Sequence, residues 1–238
     1  MKYIKSEKYD KNFIKNNIMG PNPIKLLEEL LLLHPLSETD TVLDLGCGRG
    51  VTSIYVAKEY NARIFAADLW ISPTDNKKRF DEIGLTSQQI IPISVEAHDL
   101  PFAEEFFDTV ICVDSYHYYG MDKEYLGKHL LPLIKHGGYL LIVVPGLKKD
   151  IHNNIPAEML QSWSPEDIQT LHDIAYWQQI IAATENIEIV SFEEMESFDE
   201  CWNDWLESDN EYAVNDRKAM NAGAGKYMNF IAMILRRK

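Results

Sequence analysis

The sequence predicts an α/β fold, doubly wound around a mostly parallel sheet, from three observations. Five short runs, 41–45, 63–68, 90–95, 109–113 and 138–144, are nearly all apolar, as strands buried on both faces are. Helical segments near 51–60, 75–83 and 122–135 fall between them, and this alternation requires crossover connections between parallel strands. The first run ends in Gly46-Cys47-Gly48-Arg49-Gly50, a tight loop that opens a helix. Glycine lets such a loop approach a ligand closely, and the helix start offers free N–H groups.

The remaining elements follow in chain order. Residues 1–22 are polar and aromatic and are expected to lie over the fold as an arm. Pro21 and Pro23 punctuate the start of a helix over 24–34, whose leucines recur at helical spacing. After Pro145-Gly146 the pattern changes, and 147–163 is irregular. Ser164-Pro165-Glu166-Asp167 reads as a helix start, with Ser as N-cap, Pro at the first position and acids in the first turn. That helix is expected to run to about 184. Residues 187–192 read as a strand, 199–220 as a helix and 227–235 as a final strand.

Composition narrows the function classes. Hydrophobic residues make up 46% of 238 residues, enough for one sizeable core and too many for a disordered chain. The formal net charge of −14 argues against nucleic acid and anionic membrane as partners. No apolar run is long enough to span a bilayer, and the lysine-rich N-terminus lacks the apolar core of a secretory signal. Three cysteines, Cys47, Cys112 and Cys201, form a sparse, odd set that suggests a reducing compartment, the cytoplasm. The histidines show no metal-ligand spacing with them, so no metal site is expected.

Four segments carry the candidate chemistry. Asp44 ends the first strand, before the loop of Gly46, Cys47, Gly48 and Gly50. Asp68 ends the second, placed to accept hydrogen bonds from ribose hydroxyls, with Leu69 and Trp70 beside it. The third is Val95-Glu96-Ala97-His98-Asp99-Leu100-Pro101-Phe102. The fourth, Phe107-Asp108 and the apolar run after it, ends in Asp114-Ser115-Tyr116-His117-Tyr118-Tyr119. Open α/β sheets bind ligands beyond the carboxyl ends of their strands, where all four lie.

Together these segments resemble the class I, Rossmann-like S-adenosylmethionine-dependent methyltransferases of small-molecule type, best over residues 24–146. The resemblance implies a seven-stranded sheet with an antiparallel C-terminal hairpin at one edge. It implies a single domain over 1–238, with 24–146 as cofactor-binding core and 147–225 as substrate-side insertions and edge strands. S-adenosylmethionine would be the cofactor. Asp44 and the loop would serve its methionine portion, Asp68 its ribose, and Glu96, with Ala97 and His98, its adenine; Asp99 is a nearby alternative carboxylate. Asp114 and Ser115 would frame the methionine end. Tyr116, His117, Tyr118 and Tyr119 would lie near the transferable methyl, His117 either as proton acceptor or as pocket wall. Gly137-Gly138 would end a helix and start the fifth strand, and Met19-Gly20-Pro21-Asn22 would close over the cofactor.

The sequence thus points to methyl transfer by in-line displacement onto a small-molecule acceptor. The alternatives are a non-catalytic module that binds S-adenosylmethionine or S-adenosylhomocysteine, and a nicotinamide-dependent reductase. The last is disfavoured because this loop reads Gly-x-Gly-x-Gly, not Gly-x-Gly-x-x-Gly. Trp202, Trp205, Asp204 and Glu207 share helical faces, which leaves two readings: aromatic and acidic walls for a cationic acceptor, or an amphipathic scaffold helix. Neither the acceptor nor the oligomeric state is legible.

Overall fold

In the computed structural model, which describes residues 3–238, the strands take the order β3-β2-β1-β4-β5-β7-β6. They are β1 (Thr41–Leu45), β2 (Arg63–Asp68), β3 (Ile90–Ser94), β4 (Phe107–Val113), β5 (Ile134–Leu147), β6 (Ile187–Glu194) and β7 (Met228–Arg237). The first five pair in parallel, and β7 lies antiparallel between β5 and β6, giving the expected edge hairpin. The chain steps outward from β1 to β3 and then returns to place β4 on the other side of β1. Loops leaving the carboxyl ends of β1 and β4 therefore diverge and open a crevice between them.

Alternation along each strand feeds two cores. Val42, Ile64, Ala66, Ile111 and Val143 face one, while Leu43, Phe65, Val110, Cys112 and Ile142 face the other. Both sets are buried, which is why the strands read as unbroken apolar runs. Helices α1 (Lys11–Asn17), α2 (Pro23–Leu33), α3 (Val51–Glu59), α4 (Pro73–Glu82), α5 (Pro165–Ile168), α6 (Ile174–Ala182), α7 (Phe198–Leu206) and α8 (Glu211–Asn221) complete the layers. Asn22 caps α2, accepting from the Ile24 N–H at 3.1 Å, with Pro23 at the first position. Among the described residues, no helix is long and apolar enough to cross a membrane.

Three helical expectations are corrected. The segment 122–135 is not an α-helix: a π-helical turn, Leu126–Leu130, gives way to a 3₁₀ turn, Leu131–Leu133, and β5 has begun by Ile134. Pro132 lacks an N–H and its ring crowds the preceding turn, so regular helix cannot continue. Gly137 and Gly138 consequently lie inside β5, where the register against β4 shifts. A Cβ on Gly138 would stand 2.7 Å from the Asp108 carbonyl oxygen, so the irregular pairing needs glycine there.

The helix expected over 164–184 is two. Asp173 caps a fresh start, accepting from the Tyr176 N–H at 3.0 Å, and the His172 carbonyl instead receives the Leu147 N–H at 3.0 Å. The segment 199–220 is likewise split, and Asn210 caps α8 at 2.9 Å from the Tyr212 N–H. Trp202 and Trp205 are buried, at 5% and 1% exposure. Asp204 pairs with Lys25 at 2.8 Å and accepts from Asn22 at 2.7 Å. Asp204 thus ties α7 to α2, and neither Asp204 nor Glu207 lines the cavity described below.

Candidate functional site

Where β1, β2 and β4 end, a cavity of about 370 Å³ opens under the N-terminal arm. That volume suits a small ligand or cofactor. The glycine loop forms one wall. Gly46 and Cys47 donate their N–H groups to the Ala67 carbonyl at 2.8 and 3.1 Å, which ties the loop to the end of β2. Gly46 adopts φ +81°, and a Cβ there would lie 2.3 Å from the Ser115 Cβ. Only glycine allows β1 and β4 to approach so closely at the crevice. Ser115 returns the contact by donating to the Leu45 carbonyl at 2.7 Å.

Asp68 lines the cavity at the end of β2. Its Oδ2 accepts the Gly48 N–H at 2.8 Å, and its Oδ1 accepts the Trp70 and Ile71 N–H groups, both at 2.8 Å. An ionised carboxylate offers about four lone-pair sites, so roughly one remains, on Oδ2, for a ligand hydroxyl. Glu96, Ala97 and His98 line the next wall. The Glu96 carboxylate accepts the His98 N–H at 3.0 Å and meets its Nδ1 at 2.8 Å. The hydrogen bond from the His98 ring holds the carboxyl below its usual range. Of the two candidate acids, Glu96 borders the cavity and Asp99 does not.

Asp114 and Ser115 close the far wall with Tyr118 and Tyr119. Asp114 takes φ +57°, a left-handed turn that aspartate tolerates better than most residues. The chain then enters a 3₁₀ turn, Tyr116–Tyr118. That geometry overturns the placement expected for two residues. Tyr116 and His117 are buried, at 0% and 3% exposure, and neither borders the cavity. Tyr116 packs among Tyr119, Tyr125 and Trp177. Burial pushes the His117 imidazole down to about 3, too weak a base to take a proton at neutral pH. Tyr118 and Tyr119 line the cavity instead.

Two loop-side expectations also change. Asp44 is 1% exposed and does not border the cavity. Its Oδ2 accepts both the Thr52 and Ser53 hydroxyls at 2.6 Å, so it fixes the first turn of α3. Gly50 also stands away from the cavity; a Cβ on it would lie 2.6 Å from the Phe80 ring, so it lets α4 pack against the loop. Cys47, Gly48 and Leu69 line the cavity. Asn17, Arg49 and Thr52 line it without having been singled out from sequence. Arg49 donates to the Asn16 carbonyl at 2.7 Å and so clasps the arm to the loop, while Met19 and Gly20 bring the arm over the opening. Among the described residues, no group of three or more His, Cys, Asp or Glu is placed to hold a metal.

Burial pushes the Asp44 carboxyl up to about 6, against the hydrogen bonds that favour its charge. A value raised above the ordinary one near 3.8 favours folding below about pH 4, and this contribution is lost as pH rises through about 6. The full loss is about 3 kcal/mol. Asp44→Asn, which stays neutral and keeps an acceptor for both hydroxyls, is expected to flatten the fall in stability between pH 4 and 7 by about that amount. Urea unfolding at several pH values checks this, and an unchanged slope contradicts it.

Residues 42–138 match a family model described as a methyltransferase domain. Several solved structures share the fold at low identity. A geranyl diphosphate C-methyltransferase from Streptomyces coelicolor A3(2), in complex with Mg²⁺, geranyl diphosphate and S-adenosyl-L-homocysteine, is 13% identical with a TM-score of 0.65, over 98% of this chain and 81% of that one. A Haemonchus contortus phosphoethanolamine N-methyltransferase 2, in complex with S-adenosyl-L-methionine, is 18% identical with a TM-score of 0.73, over 99% of this chain and 59% of that one. The [4+2]-cyclase SpnF is 15% identical with a TM-score of 0.70, over 100% and 96%. Residues 42–138 are thus similar to a methyltransferase domain, and the chain shares a Rossmann-like fold with these structures.

Proposed function

We propose that this chain, whose residues 42–138 match a methyltransferase domain, moves a methyl group from S-adenosylmethionine to a small-molecule acceptor by in-line displacement. The observation that carries the proposal is the cavity itself: a glycine loop, a carboxylate at the end of β2 and a second carboxylate on the adjacent wall line one space of about 370 Å³. The residues fit the cofactor. The open lone pair on Asp68 Oδ2 suits a ribose hydroxyl, Leu69, Val95 and Ala97 supply apolar surface for an adenine ring, and Glu96 suits its amino edge. Gly46, Cys47, Gly48 and Ser115 then stand at the methionine end.

When bound, S-adenosylmethionine supplies a methyl group already activated on a sulfonium sulfur. The protein's own part is to align, enclose and exclude water. The Asp68 anchor fixes Gly48, the Asp44 clamp fixes α3, and the arm from Asn17 to Pro23 covers the opening. A small acceptor is favoured by that cover and by the acidic surface, and the structures of similar fold include enzymes named for small-molecule acceptors.

Incubation with S-adenosylmethionine labelled in its methyl group, and a panel of small metabolites, tests the proposal. Label is expected in a small-molecule product, with stoichiometric S-adenosylhomocysteine. Cofactor binding with no transfer to any member of a broad panel would support a binding module instead.

A further inference from the structure

We propose that the Asp114 carboxylate is the acceptor-recognising group of the cavity and that the acceptor it takes is a small amine. This rests on the methyl-transfer reading above and names the substrate class of the same site. Asp114 borders the cavity, yet among the described residues nothing donates a hydrogen bond to its carboxylate and no cation pairs with it. The other acids nearby are satisfied: Asp68 holds three backbone N–H groups, Glu96 holds His98, and Asp216 takes the indole N–H groups of Trp163 and Trp205 at 2.9 Å each. Asp114 is partly buried, and a carboxylate partly withdrawn from water without a partner calls for a ligand that brings a proton or a positive charge.

The surroundings reinforce that sign. Burial, with Asp216 on α8 opposite, raises the Asp114 carboxyl to about 7. Arg49, the cavity's arginine, is engaged with the Asn16 carbonyl on the arm. At the mouth, Trp70 and Tyr118 are 70% and 58% exposed, with ring centroids 5.7 Å apart, and present aromatic surface that attracts an ammonium. Gly20 of the arm runs directly over Asp114, where a Cβ would lie 2.5 Å from Oδ2, so closure of the arm leaves room above the carboxylate only for a slender group.

The chemistry follows in balance. The substrate ammonium gives one proton to the Asp114 carboxylate and becomes a neutral amine. The amine lone pair forms the new N–C bond, the S–C bond breaks with its electron pair left on sulfur, and the methylated product carries the positive charge. Asp114 later returns its proton to water.

The test uses the full chain saturated with S-adenosylhomocysteine and calorimetric titration with ethanolamine, histamine and 2-phenylethylamine, against ethylene glycol and 2-phenylethanol. At least one amine is expected to bind, its alcohol counterparts to bind tenfold or more weakly, and Asp114→Asn, which suits the left-handed turn equally, to weaken the amine tenfold or more while S-adenosylhomocysteine affinity stays within twofold. Alcohols binding as well as amines, no amine binding, or equal amine binding by Asp114→Asn overturns the assignment. So does a loss of S-adenosylhomocysteine affinity in the variant, which would make Asp114 a cofactor contact. Failure of the wild-type chain to bind S-adenosylhomocysteine at all overturns the methyl-donor reading itself, and is read before any amine is added.

Discussion

Asp68→Ala is expected to weaken S-adenosylhomocysteine binding by about 10- to 100-fold. A hydrogen bond to an ionised carboxylate contributes about 1.5–3 kcal/mol, and the structure leaves one acceptor position free on Oδ2. The same substitution strands the N–H groups of Gly48, Trp70 and Ile71, so the unfolding midpoint is expected to fall as well. Asp68→Asn separates the two effects. Its remaining oxygen can still serve the Trp70 and Ile71 N–H groups, so stability is expected to fall less while binding still drops. Calorimetry beside thermal unfolding reads both, and unchanged affinity in a folded Asp68→Ala protein contradicts the ribose assignment.

Gly46→Ala is expected to be the most damaging single change at the site. Alanine at φ +81° costs about 1–3 kcal/mol in backbone strain. The added methyl would also sit 2.3 Å from the Ser115 Cβ and 2.7 Å from its Oγ, and relieving that overlap costs about 1–3 kcal/mol more. Ser115 is buried and donates to the Leu45 carbonyl, so it has no free rotamer into which to retreat. The loop must move, and cofactor binding is expected to vanish in whatever protein remains folded. Gly46→Ala with wild-type stability and affinity would show that the loop is not held as described.

The parts of this fold legible in sequence are those set by burial. Strands β1, β2 and β4 read cleanly because Val42 and Leu43, or Ile111 and Cys112, face opposite cores and are equally apolar. The helices after residue 120 were less legible because local caps, rather than hydrophobic spacing, divide them. Asp173 and Asn210 look like ordinary polar residues inside a helical pattern, but each captures an N–H two or three positions on and starts a new helix. Pro132 did carry a signal against the helix expected over 122–135.

The site divides in the same way. Asp68, Glu96 and Ser115 follow from where strands end, and the structure places all three on the cavity. His117 and Tyr116 were misplaced because spacing from a strand end says nothing about the turn that follows. A left-handed residue at Asp114 and a 3₁₀ turn after it send Tyr118 and Tyr119 to the cavity and bury their neighbours. Asp44 points away from the cavity because its partners, Thr52 and Ser53, lie in the first turn of α3, and only the fold brings their hydroxyls back to its carboxylate.

The measurement that bears most directly on the central claim is calorimetric titration of the wild-type chain with S-adenosylhomocysteine, with NAD titrated separately. One site of micromolar affinity for S-adenosylhomocysteine is expected, lost in Gly46→Ala and weakened in Asp68→Ala, with no detectable heat from NAD. Tight NAD binding without S-adenosylhomocysteine binding would contradict the assignment of this cavity to the methyl donor.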